Sequence, residues 1–265
     1  MPIVARGNQD RINVLPSQQF EHVDVCRAVI VAVPAVDLIS SLYTGDKKEV
    51  KLKPGAFTKA GYLFASVNYR LSPAVKYPAH IQDTAKAVAF IYKNAAKYGG
   101  DPDRIFLLGH SSGAHLAALL ATDEQFLSAE GLSLKDLKGV ICLDEEGYDL
   151  PLLKEIEPKL FSSVYIMDFG NDPEIWKQAS PIAHVAPGKG IPPFLLLHLG
   201  GNTQKTMAQN LAAKLKNAGV ATEVVFIPSK THYALTDDLG KPGDQATKII
   251  FNFLAQRDRE ISGQP

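Results

Sequence analysis

RIFLLGHSSGAHLAALLA, residues 104–121, joins a short apolar run to a glycine-rich turn and then to a helical pattern. The turn, Gly109-His110-Ser111-Ser112-Gly113, has the form G-x-S-x-G. Between a strand and a helix, its two glycines permit a turn sharp enough to expose the middle serine at the carboxyl end of a sheet. The stretch therefore predicts that Ser111 is a nucleophile. It also predicts that the backbone N–H of Ser112, at a helix N-terminus, faces a developing oxyanion.

Apolar runs and helical patterns alternate along the rest of the chain. Most of the apolar runs lack polar alternation, which is typical of parallel strands that are covered on both faces. The pattern predicts one α/β domain, residues 1–265, with a mostly parallel, doubly wound sheet and its site beyond the carboxyl ends of the strands. The predicted strands are 28–33, 62–68, 105–108, 139–143, 194–199 and 223–227, and the predicted helices are 49–60, 79–98, 112–121, 203–218 and 244–256.

The segment 148–186 is less regular than its surroundings and combines four prolines with several aromatic residues. We interpret it as a cap-like insertion over the active site. The alternative is a surface excursion with a small apolar cluster of its own, and the sequence favours neither.

Composition excludes several classes of partner. The chain has 265 residues, with 28 Lys+Arg and 28 Asp+Glu, so its charge gives no electrostatic case for nucleic acid or an anionic membrane. No apolar stretch is long enough to span a bilayer, and the polar N-terminus lacks the apolar core of a signal peptide, so we expect a protein that is cytoplasmic or that is soluble after processing. Cys26 and Cys142 lie in apolar runs and are expected to be buried thiols. No phosphate loop or metal-ligand spacing is present, so we expect neither a cofactor nor a metal.

A serine nucleophile needs a base, and His232 is the best candidate. It follows the last predicted strand, in Pro228-Ser229-Lys230-Thr231-His232, and so lies near the carboxyl edge of the sheet. We expect His110 to pack behind the glycine turn and His198, at a strand end, to approach the site.

Several separate stretches resemble the esterase/lipase branch of the α/β-hydrolase superfamily, near the hormone-sensitive-lipase-like and feruloyl-esterase-like carboxylesterases. They are TGDK (44–47), VNYRLSP (67–73), YGGDPDR (98–104), GHSSGAHLAALLAT (109–122), SPIAHVAPGKGIPPFLLLH (180–198) and KTH (230–232). The likeness extends over residues 24–257. It implies an α/β-hydrolase fold, Ser111 as nucleophile, His232 as base and a small carboxylic ester as substrate.

Two departures from the family pattern fall in the active site. Where the family has His-Gly-Gly-Gly-Trp, this chain has Leu38-Ile39-Ser40-Ser41-Leu42. The loop that follows His198, LGGNTQ, lacks the family's triad aspartate. We expect the acid instead at the end of the strand 139–143, with Glu145 as first choice and Asp144 as second. The alternative is an ordinary acidic strand-end loop.

The departures leave two functions open. One is a serine carboxylesterase with an altered or redesigned site. In it Ser112 and a backbone N–H near Ile39 or Ser40 bind the oxyanion, while Leu38, Leu42, Tyr43, Tyr148 and Trp176 line the pocket. The other is a redesigned or non-turnover scaffold that acylates or binds a ligand without efficient hydrolysis.

Overall fold

A computed structural model describes residues 28–33 and 46–263, together with the backbone of Ile3–Val4 and Ile12–Leu15. These residues form one eight-stranded sheet in the order β1-β2-β4-β3-β5-β6-β7-β8. The first two strands are antiparallel to their neighbours, and the other six are parallel to one another. The strands are β1 (Ile3–Val4), β2 (Ile12–Leu15), β3 (Ala28–Val33), β4 (Tyr62–Val67), β5 (Ile105–His110), β6 (Leu137–Leu143), β7 (Phe194–His198) and β8 (Thr222–Phe226).

Helices cover both faces of the sheet because its central strands are apolar on both sides. One face carries the second, third and eighth helices, and the other carries the first and tenth, so that the sheet separates two apolar cores. The helices of the described residues are α1 (Lys53–Lys59), α2 (Ala79–Asn94), α3 (Ser112–Thr122), α4 (Glu124–Ser128), α5 (Leu150–Ile156), α6 (Pro158–Phe169), α7 (Pro173–Gln178), α8 (Asn202–Asn217), α9 (His232–Asp237) and α10 (Gln245–Ser262).

The predicted α/β fold is confirmed, with all six predicted parallel strands in place and their ends shifted by at most two residues. Helix α1 begins at Lys53 and not at residue 49, because Pro54 occupies its first turn, where a missing N–H costs nothing. The prediction missed β1, β2 and the short helices α4 to α7 and α9.

The strand order reverses beside β3, which pairs with β4 on one side and with β5 on the other. The chain therefore leaves β3 and β5 at a crevice above the carboxyl edge, which is where ligands bind in open α/β sheets. Ser111 directly follows β5 at this edge.

The segment 148–186 forms α5, α6, α7 and a 3₁₀ turn at Pro181–His184. Its aromatic rings stack along α6, with centroids 5.6 Å apart for Phe161 and Tyr165 and 6.2 Å apart for Tyr165 and Phe169. Phe169 also packs edge-on against His115 of α3, at 5.4 Å. The cluster is thus continuous with the main core. That the segment acts as a cap over the site remains our proposal.

Candidate active site

The turn after β5 holds Ser111 in a strained position. Its φ is +50°, a conformation that costs free energy for a residue with a Cβ. The Ser111 N–H donates to the carbonyl of Leu143 at 2.9 Å, which ties the turn to the end of β6. A Cβ on Gly109 would lie 2.6 Å from the Cα of Ala114 and closer still to the Gly113 carbonyl, so this position requires glycine. The strand-turn-helix context predicted from the sequence is therefore present.

His232 is the first residue of α9 and is buried. The side chain of Thr231 caps the helix by accepting a hydrogen bond from the Ala234 N–H. The Nδ1 atom of His232 lies 2.8 Å from Oδ2 of Asp144, and this hydrogen bond fixes the tautomer with the proton on Nδ1. Its Nε2 atom is buried and has no hydrogen-bond partner within the described chain, so it is left to receive a proton.

Asp144 is the carboxylate that meets the histidine. It follows β6 directly and has a φ of +47°, in the left-handed region that aspartate tolerates better than most residues. Its Oδ1 accepts a hydrogen bond from the N–H of Leu199 at 3.0 Å, and its own N–H donates to the carbonyl of Leu197 at 2.8 Å. The carboxylate, 4% exposed as a residue, is thus held at both oxygens.

The first choice for the acid, Glu145, is wrong as the partner of His232. Its Oε1 accepts a hydrogen bond from the Gly147 N–H at 2.6 Å and lies 3.3 Å from the Tyr165 hydroxyl. Burial, and then the charge of Glu146, raise the pKa of Glu145 well above its ordinary value. The carboxyl group of Glu145 therefore points toward α6. The side chain of Asp144, which has the left-handed backbone conformation, is the one that meets the histidine.

Glu146 follows Asp144 and Glu145 in the chain and is partly exposed. Its carboxylate accepts hydrogen bonds from the Gln204 amide at 3.2 Å and from the Tyr165 hydroxyl at 3.3 Å. Burial raises its pKa, while the charge of His232 acts in the opposite direction. Three consecutive carboxyl groups therefore meet at the end of β6, of which one hydrogen-bonds the histidine.

The remaining histidines near the turn have structural contacts. His110 packs behind the turn as predicted, and its Nε2 donates to the carbonyl of His232 at 2.9 Å. His115 bonds to the carbonyl of Ala179 at 2.8 Å, and burial lowers its pKa to about 4. His198 accepts a hydrogen bond from the Gly200 N–H at 3.1 Å.

Five of the eight predicted oxyanion and pocket residues lie outside the described residues. These are Leu38, Ile39, Ser40, Leu42 and Tyr43, and Cys26 falls outside as well. Ser112 opens α3, whose first N–H groups have no acceptor within the helix; its role as an oxyanion donor stays a prediction.

The two described pocket candidates have other surroundings. Tyr148 is 1% exposed and packs into the core beside Cys142, and its assignment to a pocket wall stays a prediction. Trp176 donates from Nε1 to the Gly170 carbonyl at 2.9 Å and packs edge-on against Phe161 at 4.8 Å.

Over the part of the chain that the structure describes, no group of three or more His, Cys, Asp or Glu side chains is arranged to hold a metal ion. Cys142 is a buried free thiol. None of the described helices combines the length and the apolar character needed to cross a membrane.

Comparison with known proteins gives the site a family context. Residues 38–218, more than half of the chain, match the family model described as BD-FAE. Esterase LipQ of Mycobacterium tuberculosis is 36% identical over 182 residues, which cover 66% of this chain and 43% of LipQ. A probable isoprenylcysteine alpha-carbonyl methylesterase, ICMEL1 of Oryza sativa, is 45% identical over 221 residues, which cover 77% of this chain and 52% of the relative. The chain thus spans about half the length of these curated relatives.

Solved structures agree on the fold. Esterase B from Lactobacillus rhamnosis superimposes with a TM-score of 0.75 at 17% identity, over 97% of this chain and 84% of that protein. The apo form of Thermogutta terrifontis esterase 2 gives a TM-score of 0.70 at 21% identity, over 92% and 88% of the two chains.

Proposed function

Because the chain belongs to the BD-FAE family and has the α/β-hydrolase fold, we propose that it is a serine carboxylesterase that hydrolyses small carboxylic esters. Ser111 is the nucleophile, His232 the general base and Asp144 the acid of the triad. The observation that carries the proposal is the buried 2.8 Å hydrogen bond between His232 Nδ1 and Asp144, set at the same sheet edge as the strained serine.

The chemistry proceeds in two halves. Nε2 of His232 takes the proton of the Ser111 hydroxyl as Oγ attacks the acyl carbon, and Asp144 stabilises the imidazolium that forms. The Ser112 N–H stabilises the oxyanion. As the tetrahedral intermediate collapses, His232 returns the proton to the leaving alcohol, and a seryl acyl-enzyme remains. Water, deprotonated by His232, then attacks the acyl carbon. The bond between the acyl carbon and Ser111 Oγ breaks, His232 returns the proton to Oγ, and the carboxylic acid is released.

In this proposal, the active site is altered because the acid of the triad follows β6 and not β7. The loop after β7 has no carboxylate in residues 199–204, and Asp144 at the neighbouring strand end takes over that task. The register supports this, because Leu143 pairs with Leu197, so that β6 and β7 end at the same level of the sheet.

Relatives guide the choice of substrate. The names of LipQ and ICMEL1 describe an esterase and a methylesterase, so small esters are the class to test first. We expect short-acyl aryl esters to be accepted, because an activated leaving group makes the least demand on oxyanion stabilisation.

A fluorophosphonate tests the proposal at the nucleophile. We expect the intact mass of the wild type to increase by one adduct, and that of Ser111→Ala to stay unchanged. Ser128→Ala, at the end of α4 and remote from the site, is the matched control and should label like the wild type.

Turnover separates an esterase from a scaffold that only acylates. With p-nitrophenyl acetate, an esterase releases product linearly over many equivalents. A burst equal to the enzyme concentration with no further release would favour the non-turnover alternative. The absence of both adduct and burst would exclude Ser111 as a nucleophile.

A further inference from the structure

His110 lies between the three residues that we propose as the triad. It is the last residue of β5 and directly precedes Ser111. In the parallel register of β5 and β6 it pairs with Leu143, the residue before Asp144. Its side chain is 4% exposed and contacts His232. One buried residue therefore links the two strand ends that carry Ser111 and Asp144 to the helix that begins at His232.

The contact between His110 and His232 has two parts. Nε2 of His110 lies 2.9 Å from the backbone carbonyl oxygen of His232. A carbonyl oxygen can only accept a hydrogen bond, so the proton must be on Nε2 of His110. The two imidazole rings also pack against each other, with centroids 4.3 Å apart and planes tilted by 46°. The hydrogen bond holds the backbone of the proposed base, and the ring contact restricts the rotation of its side chain.

The other contacts of His232 hold it in different directions. The 2.8 Å bond to Asp144 ties Nδ1 of the ring to the end of β6, and the Thr231 cap fixes the start of α9. The bond from His110 is a direct link between the base and the residue that precedes the nucleophile. Proton transfer needs Ser111 Oγ and His232 Nε2 within hydrogen-bond reach, and a misplacement of about 1 Å can cost about 10²-fold in rate.

We propose that His110 is a positioning residue of the reaction. Its Nε2–H holds the carbonyl of His232 and thereby sets the separation between Ser111 Oγ and His232 Nε2. His110 acts through His232 and takes no proton from the substrate or from Ser111. This inference rests on the proposed function and deepens it, because it gives the second position of the G-x-S-x-G motif a task in proton transfer.

Two substitutions separate the hydrogen bond from the filling of space. His110→Leu fills a similar volume and removes the donor, so we expect kcat for p-nitrophenyl acetate to fall about 10²-fold while KM stays within about twofold. In His110→Gln the amide nitrogen takes the place of Nε2 and can donate to the same carbonyl. We expect this variant to recover kcat to within about fivefold of the wild type. A side chain that only filled space would be replaced as well by leucine as by glutamine.

His115→Leu is the matched control. His115 is 2% exposed and, like His110, hydrogen-bonds a backbone carbonyl, that of Ala179, at 2.8 Å. Its partner belongs to the segment 148–186 and not to α9. We therefore expect kcat of His115→Leu to stay within about fivefold of the wild type. Equal losses in the two leucine variants would mean that any disturbed buried histidine slows the enzyme, and would overturn the proposal.

Proton NMR reports the position of His232 without turnover. The Nδ1–H that binds Asp144 is buried and should give an imidazole resonance downfield of the amide region. We expect this resonance in the wild type and in His110→Gln, and we expect it to be broadened or lost in His110→Leu. An unchanged resonance in His110→Leu would show that His232 is held without His110 and would overturn the proposal.

The kinetics supply the remaining outcomes. Wild-type kcat in His110→Leu, or a loss in His110→Gln as large as in His110→Leu, overturns the proposal. A wild type that does not turn over p-nitrophenyl acetate contradicts the proposed function, whereas the resonance still decides whether His110 positions His232. Urea unfolding establishes that each variant is folded. Should His110→Leu fail to fold, His110→Asn takes its place, because its shorter amide does not reach the carbonyl and should show the same loss.

Discussion

Replacing Asp144 with asparagine is the sharpest test of the proposed triad. The substitution keeps the size of the side chain and removes the charge 2.8 Å from His232 Nδ1. Because both side chains are at most 8% exposed, water does not screen the lost interaction. An amide in this position favours the wrong histidine tautomer and leaves the imidazolium unsupported. We expect kcat for p-nitrophenyl acetate to fall about 10⁴-fold, which corresponds to about 5 kcal/mol.

Glu145→Gln is the matched control, one residue along the chain. Its side chain bonds to Gly147 and Tyr165 and not to the histidine, so we expect kcat to stay within about tenfold of the wild type. Both variants should unfold in one cooperative urea transition. A Glu145→Gln loss as large as that of Asp144→Asn, or an active Asp144→Asn enzyme, would refute the assignment of Asp144 as the acid.

Three further predictions concern stability, each read from urea unfolding. Gly109→Ala should destabilise the fold by about 1–3 kcal/mol or more, because its Cβ meets the backbone of α3, whereas Gly55→Ala, with open space around it, should be neutral or stabilising. Burial lowers the pKa of His115 to about 4, so the unfolded chain binds the extra proton; stability should fall by up to about 3 kcal/mol from pH 6.5 to pH 4, and less in His115→Gln. Burial lowers the pKa of Lys53 from 10.5 to about 8, so between these values the unfolded chain binds the extra proton. As the pH rises from 8 to 10.5, the wild type should therefore gain up to about 3 kcal/mol relative to Lys53→Met; an unchanged difference would contradict the buried ammonium.

The sequence predicts the parallel strands well because each is a continuous apolar run. A central strand that is covered on both faces needs apolar side chains on both sides, so the pattern is easy to recognise. The short helices α5 to α7 escaped prediction because prolines begin them and they contain too few turns for a helical period to emerge. Their apolar residues are satisfied by packing onto α3, a tertiary contact that the local pattern does not contain.

The proposed nucleophile and base follow from local signals in the sequence, whereas the proposed acid does not. The G-x-S-x-G motif stands between an apolar run and a helical pattern, and the histidine follows the last predicted strand, so both positions can be recognised in the sequence. Choosing between Asp144 and Glu145 requires the backbone angle that follows β6, and a φ of +47° reverses the expected direction of the side chain. One signal was available: aspartate tolerates the left-handed region better than glutamate and stands directly after the apolar strand.

The missing acid after β7 and the gained acid after β6 are two sides of one arrangement. Because the two strands end in register, a carboxylate after either strand lies at the same edge of the sheet. Here the loop after β7 contributes a donor in its place: the N–H of Leu199 binds Oδ1 of Asp144 and leaves Oδ2 for His232. An additional aspartate in this loop would approach an edge that already holds Asp144, Glu145 and Glu146, and burial together with like charges already raises the pKa values of the two glutamates. The loop therefore suits the proposed triad better as a neutral donor than as a second source of charge.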